Sequence, residues 1–291
     1  MIDGIILKGI GGFYYVQTAD EVIQCRARGN FREEGITPLI GDKVRIRISK
    51  EDNNGYIDEI YERETSLTRP PVANITQAIV VMSIEKPKVN LWLLDRFLLM
   101  AEAEGLNIVI CINKTDLNLK DAVRIKDIYN KIGYKVILTS IVEEKGIDDL
   151  MLALKDNTSV FAGPSGVGKS SLLNLVKPSY KLETGEVSEK NKRGKHTTRH
   201  TELLHLKNNS YVLDTPGFSS LDIDFIESPA ELGEYFKEIK EYSRGCKFMN
   251  CLHLNEPGCE VKKQVADNEI SSERYENYLL FLEEIKNIRR Y

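Results

Sequence analysis

The chain has 291 residues, 42% hydrophobic and 29% charged, with a net charge of −4. That length carries more than one domain, and the composition is that of an ordinary globular protein, which excludes a disordered or low-complexity chain. A net negative charge excludes polyanion binding by bulk charge. Any nucleic-acid contact must come from local patches, such as Lys190, Lys192, Arg193, Lys195 and Arg199 in "KNKRGKHTTRH".

Residues 1–68 carry short alternating segments: "GIILKGI", "GFYYVQT", "EVIQCRARG", "DKVRIRISK" and "GYIDEIYE". Gly, Asp and Asn clusters separate them, and strands at this spacing predict a small OB-like β-barrel. Val44, Ile46 and Ile48 alternate with Lys43, Arg45 and Arg47. That alternation predicts an apolar inner face and a basic outer face, which is either a solvated strand face or an oligonucleotide surface of the kind such barrels present to RNA. Two prolines in "ETSLTRPPVAN" mark a boundary near residue 70.

Over residues 69–226 the pattern changes. "ITQAIVVMSI" reads as a buried strand. "NLWLLDRFLLMAEAEG" reads as a helix with Asn90 as N-cap and Gly105 as its stop. The strand "NIVICI", the helix "AVRIKDIYNKIG", the strand "YKVILTS", the helix "GIDDLMLALK" and the strand "TSVFAG" follow, and "TELLHL" and "SYVLDTPG" add two more strands. Strands alternating with helices predict a parallel sheet covered on both faces. Residues 227–291 read as a helical, charged domain interrupted by a Cys/His cluster.

Gly163-Pro164-Ser165-Gly166-Val167-Gly168-Lys169-Ser170 fits the phosphate-binding pattern G-x-x-x-x-G-K-[ST], between a strand and the helix that opens at Ser170-Ser171. Its glycines let backbone N–H groups turn toward phosphate oxygens, and the helix N-terminus adds positive potential. Lys169 is expected to bridge the β- and γ-phosphates and Ser170 to ligate Mg²⁺. Asp214-Thr215-Pro216-Gly217 ends a later strand; Asp214 would hold Mg²⁺ through water, and the Gly217 amide would meet the γ-phosphate. Between them lies "GKHTTRHTEL", where Thr198, rather than Thr197, is expected to ligate Mg²⁺.

Asn113-Lys114-Thr115-Asp116 reads as the guanine-recognition loop. A carboxylate accepts two hydrogen bonds from guanine N1–H and the N2 amine, a pattern adenine lacks. Asn113 either reaches the N7/O6 edge or ties this loop to the phosphate loop, the Lys114 stem packs on the base face, and the Ser140 amide, closing the next strand, is placed to reach O6. The base loop precedes the phosphate loop, which is the reverse of the usual order.

Of five cysteines, Cys25 and Cys111 sit alone in apolar runs and read as small buried hydrophobes. Cys246, Cys251 and Cys259 cluster with His253 in the pattern C-x4-C-x-H-x5-C. Three thiolates and an imidazole suit tetrahedral Zn²⁺ in a closed structural site with no catalytic role. No apolar run approaches the ~18 residues that cross a bilayer, and the N-terminus lacks a secretory signal pattern. The expectation is a cytoplasmic protein with no membrane contact.

These motifs resemble a translation-factor-related GTPase in circularly permuted order. With the barrel in front and the Cys/His cluster behind, nearly the whole chain resembles the ribosome small subunit-dependent GTPase A family of bacterial 30S assembly GTPases. The matching segments include "CRARGNFR", "IGDKV", "LTRP", "LLDRFLLMAE", "INKTDL", "GPSGVGKSSLLN", "RGKHTTRH", "DTPGF" and the cysteine cluster. Many GTPases place a Gln after D-x-x-G to orient water; Phe218 stands there and cannot do so. The resemblance implies His196 for that task, with slow intrinsic GTP hydrolysis stimulated by the small ribosomal subunit and its 16S rRNA. The chain is expected to act as a monomer. Gly166 stands where some potassium-activated GTPases carry Asn, which argues against potassium activation. The competing reading is an rRNA-binding scaffold with GTP as a structural or regulatory ligand.

Overall fold

The computed structural model describes residues 1–29, 31, 35–49, 54–68, 71–177, 201–206, 209–213 and 221–288. Strands β1 (Ile2–Ile10), β2 (Phe13–Gln17), β3 (Val22–Ala27), β4 (Lys43–Ile48) and β5 (Gly55–Ile60) close into a barrel in the order β1-β2-β3-β5-β4. β1 pairs antiparallel with both β2 and β4, which closes the ring, and β3 pairs parallel with β5. Ile6, Val16, Ile23, Cys25, Phe31, Val44, Ile46 and Ile57 fill the interior. Burial pushes the Cys25 thiol up to about 11, so it behaves as a small hydrophobe.

The expected alternation of β4 stops short. Val44 and Ile46 are buried, but Ile48 is 38% exposed, because it pairs with Gly55 at the open end of the strand, beyond an irregularity in register at Arg45/Ile46. The outer face carries the expected bases, each already matched. Lys43 pairs with Glu64 at 2.5 Å, Arg45 with Asp3 at 3.1 Å and Arg47 with Asp58 at 3.4 Å. That strand therefore presents less positive potential than its sequence suggests.

A short hairpin lies at the expected boundary: β6 (Ser66–Thr68) pairs antiparallel with β7 (Pro71–Ala73). A latch ties the barrel to it. Arg63 grips the buried Asp42 carboxylate at 2.7 Å and donates to the Thr37 carbonyl, while Asn74 donates to the Gly41 carbonyl at 2.9 Å. Gly41 has φ +87°, and a Cβ there would lie 2.1 Å from the Ala73 carbonyl oxygen, so only glycine fits.

Six strands form the second sheet: β8 (Gln77–Ser83), β9 (Asn107–Asn113), β10 (Lys135–Leu138), β11 (Thr158–Ala162), β12 (Leu203–His205) and β13 (Tyr211–Leu213), in the order β10-β9-β8-β11-β13-β12. β9 and β10 run parallel, as do β11 and β13. β8 is buried along its whole length, as a continuous apolar strand in a two-sided sheet must be. The prediction of a parallel sheet needs one correction. β12 is antiparallel to β13, because the residues between them are too few for the crossover that parallel strands require.

The chain divides into two compact units. The first comprises Met1–Ile79, Ile147–Ser165 and Lys169–Ser219, and the second Val80–Gly146, Gly166–Gly168 and Ser220–Tyr291. The first unit holds the barrel, the hairpin, β11–β13 and helices α3 (Ile147–Leu154) and α4 (Lys169–Val176). The second holds β9, β10, helices α1 (Leu91–Ala103) and α2 (Leu119–Lys131), and the C-terminal helices α5 (Lys237–Ser243), α6 (Glu260–Ala266) and α7 (Ser272–Ile288). Asn90 caps α1 by accepting from the Leu93 N–H at 3.0 Å, and Gly105 follows its end at φ +66°. Asn118 caps α2, which is why that helix starts before the predicted Ala122.

Within the second unit, Leu99 of α1 joins Leu232, Phe236, Ile239, Tyr278, Phe281 and Ile285 in one core. A charged cluster lies inside this apolar packing. The Arg274 guanidinium of α7 holds Glu238 of α5 through two hydrogen bonds, of 2.7 and 3.1 Å, and also donates to Asp95 of α1. Asp95 accepts further from the Tyr129 hydroxyl and the Asn277 amide, both at 2.6 Å. Burial pushes the Asp95 carboxyl up, against the opposing pull of Arg274 first and of the Tyr129 and Asn277 hydrogen bonds after it. Arg274→Ala would leave two buried carboxylates without their counter-charge and should cost about 3–5 kcal/mol in urea unfolding. A loss below about 1 kcal/mol would contradict this role for the cluster.

Candidate nucleotide site and metal centre

The glycine-rich loop leaves β11 at Ala162 and enters α4 at Lys169. Gly163, Gly166 and Gly168 adopt φ of 134°, 80° and 102°, outside the range that side chains favour. Lys169 Nζ donates to the Gly163 and Pro164 carbonyls at 2.8 and 2.6 Å, so the loop curls around the ammonium. Burial lowers the Lys169 pKa, a cost that an anionic ligand would offset. Ser165 is exposed, and Ser170 and Ser171 stand half-buried in the first turn of α4.

The base loop follows β9. Asn113 is fully buried; its amide donates to the Val167 carbonyl at 2.8 Å, and its Oδ1 accepts from Thr139 Oγ1 at 3.0 Å. Of the two expected roles, this is the tie to the phosphate loop. A Cβ on Gly168 would lie 2.4 Å from the Asn113 amide nitrogen, so this glycine makes the close approach possible. Lys114 donates to the Gly166 carbonyl at 2.7 Å and to the Lys86 carbonyl, which stretches its stem across the loop. Thr115 fastens the turn, its amide and hydroxyl both donating to the Thr139 carbonyl.

Asp116 Oδ1 accepts from Ser140 Oγ at 2.6 Å. The Ser140 amide, expected to reach guanine O6, donates here to the Lys145 carbonyl at 3.1 Å. The Ser140 hydroxyl thus holds the Asp116 carboxylate in place. Sequence reasoning missed two neighbours. Lys86 supplies the carbonyl that receives Lys114, and Ile141 Cδ1 lies 3.5 Å from a Cβ built at Gly168. Neither belongs to a motif, so nothing local in the sequence marks them. His196, Thr198, Asp214, Gly217 and Phe218 lie outside the described residues.

The ligating atoms of Cys246, Cys251, His253 and Cys259 lie within 4.8 Å of one another. His253 Nδ1 is 3.7 Å from Cys246 Sγ and 3.4 Å from Cys259 Sγ, and those two sulfurs are 4.0 Å apart. Zinc bonds of about 2.3 Å to sulfur and about 2.0 Å to nitrogen give tetrahedral edges of about 3.5–3.8 Å. The donor set therefore fits a structural zinc. Burial lowers the His253 pKa, which keeps the imidazole in its ligating neutral form, and pushes the Cys251 thiol up to about 12. A bound divalent cation is what would hold these sulfurs as thiolates. The surrounding loop is braced: Glu256 accepts from the Leu252 and Leu254 amides at 2.9 and 2.8 Å, and the Tyr275 hydroxyl donates to the His253 carbonyl at 2.6 Å.

A base loop tied to a glycine-rich phosphate loop, behind a closed barrel and ahead of a Cys₃His cluster, defines a circularly permuted GTPase. The RsgA GTPase family model matches residues 60–224, and the RsgA N-terminal domain model matches residues 3–57. The chain belongs to the RsgA GTPase family and hydrolyses GTP, with the Mg²⁺ that the family implies. Its relatives include the small ribosomal subunit biogenesis GTPase RsgA of Alkaliphilus metalliredigens, 49% identical with all of both chains covered. The protein of the same name from Caldanaerobacter subterraneus subsp. tengcongensis is 49% identical over 98% of this chain and 96% of its own. Among solved structures, YloQ, a circularly permuted GTPase, matches with a TM-score of 0.84 at 44% identity, covering 100% of this chain and 97% of its own. YjeQ from Thermotoga maritima matches with a TM-score of 0.86 at 36% identity, covering 100% and 99%.

Ser140→Ala removes the hydroxyl that aims Asp116 without touching the base. GDP affinity should fall about tenfold, read by displacement of a fluorescent GDP, since a hydrogen bond to a carboxylate is worth about 1.5–3 kcal/mol. Wild-type affinity in the variant would mean that Asp116 needs no such support.

Proposed function

We propose that this GTPase binds the small ribosomal subunit and couples GTP hydrolysis to its late maturation, with the subunit stimulating turnover. The observation that carries this reading is the joined site: Asn113 bonds to Val167 while Ser140 aims Asp116. It occurs in a chain whose relatives bear the name small ribosomal subunit biogenesis GTPase. Asp116 accepts from guanine N1–H and the N2 amine. With the Ser140 amide committed to Lys145, O6 falls to the amides that follow it, Ile141 first. Lys169 and the amides of Gly163 through Ser171 receive the phosphates. Ser170 and Thr198 would hold Mg²⁺, with Asp214 acting through water and the Gly217 amide at the γ-phosphate. His196 orients or deprotonates the attacking water.

The work divides among a barrel of residues 1–68, a GTPase domain of residues 69–226 and a zinc-bearing helical domain of residues 227–291. The barrel is the part assigned to 16S rRNA. Phe13, Arg26, Tyr56 and Arg47 stand in one cross-strand row over β2, β3, β5 and β4. Arg26 stacks over the Phe13 ring at 4.8 Å and Arg47 over Tyr56 at 5.5 Å. Alternating aromatic and guanidinium planes make a stacking platform for unpaired bases, worth about 1–3 kcal/mol per base. The protein acts as a cytoplasmic monomer without membrane contact. Among the described residues, no helix is long and apolar enough to cross a membrane.

GTP hydrolysis measured with and without small subunits tests the reading. Wild type should be stimulated, and His196→Ala should lose about 10²-fold or more of the stimulated rate. An unchanged stimulated rate in the variant removes His196 from the mechanism. Absence of stimulation in the wild type would favour a scaffold that holds GTP as a structural ligand.

A further inference from the structure

Cys111 lies two residues before Asn113 on β9, so both side chains point to the same face of the sheet. Thr139, directly after β10, stands beside them, with its backbone amide donating to the Ile112 carbonyl at 2.8 Å. Its hydroxyl reaches both neighbours, Asn113 Oδ1 at 3.0 Å and Cys111 Sγ at 3.4 Å. All three residues are fully buried, so their polar atoms must find partners inside the protein.

The far end of this row sets the direction of every bond in it. The Val167 carbonyl can only accept, so it faces the Asn113 amide nitrogen, at 2.8 Å. That turns Asn113 Oδ1, also an acceptor, toward Thr139. The single hydroxyl proton of Thr139 therefore goes to Asn113, and the hydroxyl oxygen is left to accept. Cys111 is then the donor to that oxygen. Burial pushes the Cys111 thiol up to about 12, so the sulfur keeps its proton. The row runs one way only, from the thiol through the hydroxyl and the carboxamide to the phosphate loop. Cys111 thus does more than the small hydrophobe its apolar run suggests.

We propose that Cys111 is a positioning residue for nucleotide retention: its thiol orients the Thr139 hydroxyl, which holds the Asn113 carboxamide in the one orientation that ties the base loop to the phosphate loop. A carboxamide turned over would set an acceptor against the Val167 carbonyl and break the tie. The proposal rests on the reading of Asn113–Asp116 as the guanine loop. Cys111 acts through Thr139 and not on the nucleotide itself. The same Thr139 fastens the rest of the base loop, since its carbonyl receives the Thr115 amide at 3.2 Å and the Thr115 hydroxyl at 3.1 Å.

The test is the rate at which the full chain, in Mg²⁺, releases a fluorescent GDP into excess unlabelled GDP. Cys111→Ala and Cys111→Ser both remove the bulky sulfur, but only serine can donate. Cys111→Ala should release GDP about threefold to tenfold faster, the size of one hydrogen bond between uncharged groups, while Cys111→Ser stays within about twofold of wild type. Thr139→Val removes the middle link, and in that background Cys111→Ala should add nothing further. Wild-type release from Cys111→Ala, equal acceleration in the alanine and serine variants, or a full Cys111→Ala effect beside Thr139→Val overturns the proposal. If Thr139→Val does not fold, the comparison of alanine with serine decides alone. Asp116→Ala separates the underlying reading. A GDP-to-IDP affinity ratio unchanged in Asp116→Ala means that this loop does not read the base. A shifted ratio, with no difference between the two Cys111 variants, means that the relay alone has failed.

Discussion

The carboxamide of Asn113 is occupied at both ends inside the protein. Its nitrogen donates to the Val167 carbonyl in the phosphate loop, and its oxygen accepts from Thr139 at the end of the neighbouring strand. Thr139 in turn receives the amide and hydroxyl of Thr115 on its carbonyl, and Ser140 beside it aims Asp116. The base loop, the serine loop and the phosphate loop are thus held by one short chain of hydrogen bonds. Asn113 is fully buried, so breaking any link would leave a buried polar group without a partner. Gly168 belongs to the same arrangement, because a side chain there would collide with the Asn113 amide.

This joint also explains how the motifs tolerate their unusual order. In a doubly wound sheet the ligand loops stand at the carboxyl ends of the strands, whatever the order in which the chain visits them. Opening the chain elsewhere leaves the loops in place. The permutation changes what is covalently next to what: Asp214–Gly217 now leads to Leu221 and the C-terminal helices, and "NKTDL" follows soon after the barrel and its hairpin.

Much of the site was legible because each motif encodes a local backbone demand. Glycines 163, 166 and 168 mark positive φ, Asn90 marks a helix start, and a Cys₃His spacing marks a tetrahedral donor set. What stayed hidden depends on partners distant in the chain. Asp95 and Arg96 look like surface charges on a helix, yet both are buried, and their partners Arg274 and Glu284 come from the far end of the chain. Lys43, Arg45 and Arg47 look like a free basic stripe, but acids on other segments neutralise them. The Ser140 amide is lost to Lys145, a pairing that the turn geometry sets and no motif announces. The antiparallel edge at β12 follows from the brevity of its connection to β13, a feature of length and not of residue pattern.

If Asn113 joins the loops and does not itself read the base, it should support every purine nucleotide alike, whereas Asp116 should discriminate among them. The direct measurement is the ratio of GDP to IDP affinity in Asn113→Ala, since inosine keeps O6 and N1–H but lacks the N2 amine. The account predicts that Asn113→Ala weakens both nucleotides by the same factor, about tenfold or more, and leaves the ratio at its wild-type value. A ratio that shifts in Asn113→Ala as it does in Asp116→Ala would contradict it.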